Sequence, residues 1–512
     1  MTSLPLLSLL VFTPMAGAAL LILFRALSPS VTRTVSLGFS LSTLGLSAAA
    51  LNSFNPAITG YQFVERHDWI ATLNVHYHLG LDGMSLLLVL LTGIISPAAL
   101  LASRRITRSP RLFGALFLML QSAALGVFLA LDFFHWFLFW ELSLIPAYFL
   151  IKLWGGAGAT RAAYQFFIYT LGGSVFMLLG FAAIFVCTGT LDFTQLASLG
   201  AEGTLTTQLA AAGGYWPRIV FLGVLLGLAV KGPLFPFHTW LPPAYAEAPT
   251  GVSMFLTGVM SKMGVYAFFR ILWPIFPAEL HAAAPILLGL ALGGVVFGAF
   301  AAMKQTDLKR MVAYSSINHL SYCLLALFAV AAITEDTGNA HAAVTSAFSG
   351  ALLQMFNHGL SAAALFFCVG VLQSRAGGKR GLGDFGGVRS AAPVLAGLGG
   401  IAMFSSIGLP GLNGFVGEFL IFKGVFGIAP WAAATACLGL FATAFFYLTF
   451  WQRVFHGPRA GAVTADFHDV RGSELVVLVP LTALMLLFGI LPHLLTRLFN
   501  PLITAWAAGF TP

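Results

Sequence analysis

Charges lodged inside runs of apolar sequence limit what this chain can fold into more than any other feature. Glu141, Lys231, Lys262 and Glu418 each lie within a stretch long enough to cross a bilayer. A charge near the bilayer centre costs about 2.5–3.5 kcal/mol on insertion scales, so such residues face the protein interior or a wet cavity and mark functional routes. Two acids and two bases placed in this way point to a path for protons.

Hydrophobic residues make up 59% of the chain and charged residues 8%, where a soluble domain carries about 25% charged residues. The mean hydropathy is +0.92. An all-α polytopic membrane protein is expected, because helices satisfy their own backbone groups in lipid. The net charge of +8 does not indicate a nucleic-acid partner, since the basic residues are scattered over short loops. Cys187, Cys323, Cys368 and Cys437 stand alone in apolar surroundings, without metal-ligand or disulfide spacing. No P-loop is present, and no cofactor is expected in this chain. The N-terminal run lacks a basic leader and reads as a first span rather than a cleaved signal.

Counting apolar runs predicts about fourteen helices, at 4–24, 33–52, 81–102, 112–131, 133–152, 163–187, 217–237, 248–270, 282–303, 310–332, 344–373, 392–424, 430–452 and 474–496. Eighteen of the 25 basic residues fall in the loops after odd-numbered helices, among them Arg104, Arg105, Arg108, Arg111 and Arg380. The positive-inside rule then makes those loops cytoplasmic and leaves both termini outside. A bacterial inner membrane is the expected location.

Two spans read as broken. Pro233 and Pro236 interrupt the seventh just after Lys231, and Gly408, Pro410, Gly411 and Gly414 interrupt the twelfth just before Glu418. Paired broken helices beside intramembrane charges fit a plan of two inverted five-helix repeats, helices 4–8 and 9–13. Four segments follow: 1–110 (helices 1–3), 111–270 (first repeat), 271–455 (second repeat) and 456–512 (helix 14). Glu141 precedes Lys231 by 90 positions and His319 precedes Glu418 by 99, a loose equivalence.

Glu141 and Lys231 form a candidate switch, both ionised when together and each drifting toward neutrality when parted. Lys262 is the next proton acceptor. His319 and His358 suit a relay, since imidazole titrates near neutrality, and Glu418 is the terminal site. Each has a structural alternative: an interhelical hydrogen bond for Glu141, a snorkelling cation for Lys231, satisfied core histidines, and a helix cap for Glu418. Lys309 reads as a positive-inside residue with an open relay role, and Lys423 as a helix-end anchor. Asp82, Asp132 and Glu247 sit near helix ends, where capping or interface polarity explains them.

The stretches FWELSLIPAYFLIKLWGG, VKGPLFPFHTWLPPAYAEAPTGVSMFLTGVMSKMGVYAFFR, DLKRMVAYSSINHLSY, QMFNHGLSAAALFFCVGVL and GLPGLNGFVGEFLIFKG resemble the antiporter-like subunits of respiratory complex I. The resemblance runs from about Leu79 through the thirteenth helix. Glu418, where two branches typically have lysine, and an end at Pro512 without a long lateral helix resemble the chain M (chain 4) branch. The resemblance implies a proton-translocating subunit of NADH–quinone oxidoreductase, with Glu141, Lys231, Lys262, His319, His358 and Glu418 on its proton path. It also implies antiporter-like chains L and N on either side, a peripheral redox arm carrying flavin and iron–sulfur clusters, and surrounding lipid. The family's usual LPDAH is LPPAY here, with Pro243 and Tyr245. That substitution is expected to strip two polar groups from a cytoplasmic loop. A multisubunit cation/proton antiporter, a membrane-bound hydrogenase, an ion-coupled uptake complex and a non-pumping scaffold are the competing readings.

Overall fold

The structure, a computed structural model, describes residues 4–334, 340–464 and 466–508. Met1 and Pro512, on which the expectations about the termini rest, lie outside them. In chain order the elements are α1 (Leu6–Leu23), α2 (Pro29–Ser53), β1 (Gln62–Ile70), β2 (Val75–Leu81), α3 (Gly83–Ala102), α4 (Pro110–Leu129), α5 (Phe133–Leu142), α6 (Leu144–Trp154) and α7 (Ala159–Thr188). Then come α8 (Phe193–Ala201), α9 (Thr204–Ala212), α10 (Trp216–Lys231), α11 (Leu241–Glu247) and the long α12 (Thr250–Ile275). The second half holds α13 (Pro277–Met303), α14 (Leu308–Ala331), α15 (Ala340–Arg375), α16 (Pro393–Ile407), α17 (Asn413–Ile428), α18 (Pro430–Phe455), α19 (Ser473–Ile490) and α20 (His493–Ala508).

Twelve helices among the described residues are long and apolar enough to cross a membrane, or thirteen if α9 and α10, bent by 110°, count as one span. Fourteen were expected. The two expected spans missing from the twelve are the seventh and twelfth, which are divided. After Lys231 the chain turns through residues 232–240 before α11 resumes. After Ile407 it turns through Gly408 and Gly411, both at positive φ, before α17 begins. Proline and glycine account for both breaks.

The fifth span is also interrupted, at Ser143. Pro146 has no N–H, and its ring excludes the carbonyl four residues earlier, that of Leu142. A hairpin is a second departure from the all-helical expectation, with β1 antiparallel to β2. α20 is a third: it extends beyond the expected fourteenth span and buries Leu495, Leu498, Phe499 and Ile503.

The odd-numbered and even-numbered loops gather on opposite faces. On the odd-loop face Glu474 pairs with Arg105 (3.3 Å) and Arg375 (2.6 Å), and Arg380 pairs with Glu247 and Asp307 (2.7 Å each). On the even-loop face Asp192 pairs with His78 at 2.8 Å, and Asn74 donates to the Gly189 carbonyl. Burial raises the Asp192 carboxyl, but hydrogen bonds from His78 and Thr194 outweigh it and hold the group down to about 2, below the ordinary 3.8.

Near this face Asp82 caps α3 through the Ser85 N–H and binds Arg270 of α12 at 2.6 Å. Arg270 also donates to Tyr61, Tyr266 and Ser85 hydroxyls. A cap was expected of Asp82; its ion pair to a distant helix was not.

Two outcomes follow. Asp82→Ala strands a buried guanidinium at a cost of about 3–5 kcal/mol, and a several-fold lower amount of protein in membranes, read by immunoblot, is expected. Adding Arg270→Leu recovers most of it. The Asp192 contribution is full above its unfolded value, near pH 4, and is lost as pH falls through about 2. Asp192→Asn removes that acid limb from a thermal-stability scan.

Candidate functional site

The break at Ser143 creates the first half of the site. Lys231 is only 2% exposed, and its ammonium donates to the Trp140 carbonyl (2.9 Å) and the Ser143 hydroxyl (2.7 Å). It also lies 4.2 Å from the centre of the Trp140 ring. These contacts bracket Glu141 in sequence without an ion pair to it. Glu141 is half-buried, and its shielded Oε1 has no hydrogen-bond partner. Lys231 therefore points inward and does not snorkel. Carboxylate and ammonium share one site but are held apart.

The second half is a continuous line of side chains. Lys262, wholly buried on α12, donates to the Thr257 carbonyl and meets His358 Nδ1 of α15 at 2.8 Å. The His358 ring lies 5.1 Å, centre to centre, from that of His319 on α14. His319 Nδ1 is 3.0 Å from Glu418 Oε1 on α17. Gln354 Nε2 sits between them, donating to Glu418 Oε1 at 3.2 Å and lying 3.3 Å from His319 Nδ1. His319 Nε2, His358 Nε2, Gln354 Oε1 and Glu418 Oε2 are buried without protein partners. Such groups are ordinarily satisfied by water, so the line is built to be wet.

Local sequence explains the positions. Two wide helical turns, 256–260 and 268–272, flank Lys262 on α12; insertions of this kind concentrate at functional sites. Gln354 and His358 are four apart on one face of α15. At the twelfth-helix break Ser405 donates to Asn413 Oδ1 (2.6 Å), and Asn413 exchanges bonds with Asn357 of α15. That lock holds α17, and Glu418 with it, against α15. Glu418 makes no capping bond.

Among the described residues no side-chain hydrogen bond or ion pair joins the two halves. Between them α12 meets the end of α10 by backbone: a Cβ built on Gly264 would fall 2.4 Å from Gly232 N and Cα. Lys231 turns toward α5 and α6, while Lys262 turns toward α15. Lys231 precedes its break and Glu418 follows its own, as the sequence places them.

Family comparison accords with this arrangement. The model for the NADH:quinone oxidoreductase/Mrp antiporter transmembrane region matches residues 130–445, and that for the amino terminus of NADH-ubiquinone oxidoreductase chain 4 matches residues 6–131. The chain belongs to this family. Subunit M of the NADH-quinone oxidoreductase of Rhodobacter capsulatus is 35% identical over 97% of this chain and 95% of the relative. Subunit M of the F(420)H(2) dehydrogenase of Methanosarcina mazei is 36% identical over 96% and 95%. A chain of Thermus thermophilus respiratory complex I superposes with a TM-score of 0.84 at 29% identity, covering 99% of this chain and all of that one.

The departure from the family's LPDAH pattern has a different meaning from the one expected. Tyr245 is not in a loop; it is 1% exposed on α11, and its hydroxyl donates to the Leu256 carbonyl at the first wide turn. Glu247 closes the same segment by accepting from Arg380 and the Gly158 N–H. Lys309 is buried and donates to the Ala248 carbonyl, so it ties α14 to α11. Lys423 is exposed partway along α17 rather than at its end.

Sequence reasoning missed Trp140, Ser143, Thr257 and Gln354. Ser143 was visible beside Glu141 and ahead of Pro146, and Gln354 one turn before His358; only the folded contacts give them partners.

Gly264→Ala is expected to force α12 from α10, an overpacking penalty of about 1–3 kcal/mol. A lower midpoint in a thermal scan of the purified complex, against an unchanged midpoint for Gly289→Ala, where a Cβ meets open space, checks it.

Proposed function

We propose that this chain is the proton-translocating membrane subunit of an NADH–quinone oxidoreductase, complex I. Electron transfer in partner subunits carrying flavin and iron–sulfur clusters would drive protons through the buried charges. The observation that carries the reading is the line Lys262–His358–His319–Glu418, four ionisable groups from four helices with contacts of 2.8 and 3.0 Å at its ends. Glu141 and Lys231 are the switch upstream of it. Closing their gap favours the ammonium form of Lys231, and reopening it favours release of that proton toward Lys262. Water is needed for the step past the Gly232–Gly264 contact.

In this reading the odd-numbered loops are cytoplasmic and both termini are periplasmic in a bacterial inner membrane. Chains L and N flank the subunit, and residues 111–270 and 271–455 are the two inverted repeats. The matching placement of Asp132 and Asp307 supports the repeat plan. Each caps a helix that carries a charged group of the path, Glu141 or His319, and bridges to the loop after the next helix, at Asp192 and Gly381 on opposite faces.

The test is the assembled complex in sealed vesicles, with NADH oxidation and proton uptake recorded together. Glu141→Gln, Lys262→Met and Glu418→Gln should each lower protons moved per NADH oxidised, while uncoupled oxidation with an artificial acceptor at the flavin continues. Undiminished pumping in an assembled Glu141→Gln complex removes the switch. A related assembly with another electron donor is the second reading, favoured by the Methanosarcina relative. An intact complex that cannot oxidise NADH would select it.

A further inference from the structure

Outside the buried line, the strongest unassigned feature is a corner of the odd-loop face where the first four helices end. Arg25, Arg33, Arg104, Arg105, Arg108 and Arg111 crowd there. Among the described residues only Arg105 of these has a carboxylate partner, Glu474. Two grooves open beneath this corner, one on each side of α4. The first, about 150 Å³, has Arg33 and Arg104 at its mouth and Leu37, Leu100 and Phe113 in its wall. The second, about 180 Å³, has Arg25 and Arg111 at its mouth and Leu21, Ile22 and Leu112 in its wall.

Each groove thus has the same design. Its walls are apolar side chains of membrane-spanning helices, and its rim is a pair of guanidinium groups at the helix ends. Arg33 donates to the Ile106 carbonyl (3.1 Å) and Arg111 to the Ile22 carbonyl (3.3 Å), which fixes them over the openings. A guanidinium has five donors, so most remain free for a ligand. Arg25 and Arg104 are exposed and, among the described residues, make no side-chain hydrogen bond or ion pair.

We propose that these grooves are two sites for anionic phospholipid, each holding an acyl chain between helices and a phosphodiester on its arginine pair. Charge and shape choose the class. Arginine matches phosphate oxygens in bidentate geometry, and basic pockets between helices at a membrane surface take acidic headgroups. A zwitterionic lipid would bring its own cation against unpaired arginines. A soluble phosphate compound would leave the apolar walls unused. The bound lipid would tie α1 and α2 to α4 and to the 103–109 connection, where protein contacts to the arginines are few.

The test uses the whole complex in nanodiscs of phosphatidylcholine alone or with phosphatidylglycerol, reading backbone hydrogen exchange over residues 100–112. Phosphatidylglycerol should slow exchange there. Arg33→Gln and Arg104→Gln should each raise the phosphatidylglycerol fraction needed for half protection about five-fold. Arg218→Gln, an exposed arginine elsewhere on the protein, should not. Thr34→Trp fills the first groove and keeps both arginines, so it should also weaken protection; it tests the site even if an arginine variant fails to assemble. Equal protection in phosphatidylcholine, protection by inorganic phosphate without the acidic lipid, or unchanged protection in the variants would overturn the proposal. Exchange already slow in every lipid would assign the grooves to a neighbouring subunit and overturn it too.

Discussion

The contact between Lys262 and His358 governs the interior of this protein. A lysine with no exposed surface, lying between helices, loses its hydration and must recover interactions from protein. Here it recovers one backbone carbonyl and one imidazole nitrogen. Neither is a full counter-charge, so the site does not lock Lys262 into a permanent ion pair. A carboxylate at 2.8 Å would hold the proton far more firmly. An imidazole can accept it and pass it on.

Helix geometry follows from that requirement. α12 is buried along its length because every side of it meets another element: α14 through Thr257 and Ser316, α15 through His358, and α10 through the Gly264–Gly232 approach. The interruption at Ser143 leaves the Trp140 carbonyl to Lys231, and the wide turn at 256–260 leaves the Thr257 carbonyl to Lys262. Unwinding at this depth is tolerated only inside protein or beside water, and the breaks at Ser143, after Lys231 and after Ile407 sit next to the line or its switch. The Asn357–Asn413–Ser405 lock then fixes Glu418 within reach of His319.

The two faces are built for different purposes. The odd-loop face is stitched by ion pairs between loops distant in sequence, with Arg380 and Glu474 each joining two partners. The even-loop face is closed by the β1–β2 hairpin and by Asp82 and Asp192 bonds to Arg270 and His78. Both arrangements hold helix ends in place while leaving the interior charges without rigid partners. Family membership fits the same division of labour, because a fixed scaffold around a movable proton is what ion transport requires.

The sequence by itself determined the membrane class, nearly all the spans, the two proline- and glycine-broken helices and which loops share a face. It could do so because hydropathy, proline chemistry and loop charge act locally along the chain. It also singled out Glu141, Lys231, Lys262, His319, His358 and Glu418, since an ionisable group in an apolar run is conspicuous without any partner being known. Only the tertiary structure decided that four of these form one line while Glu141 and Lys231 form a separate, opened pair. It placed His358 between Lys262 and His319, brought in Gln354 and Ser143, and turned Tyr245 from a loop residue into a buried one. Those outcomes depend on how α10, α12, α14, α15 and α17 rotate and approach one another. The contacts within the line and its switch join residues 35 to 99 positions apart, beyond what periodicity or composition records.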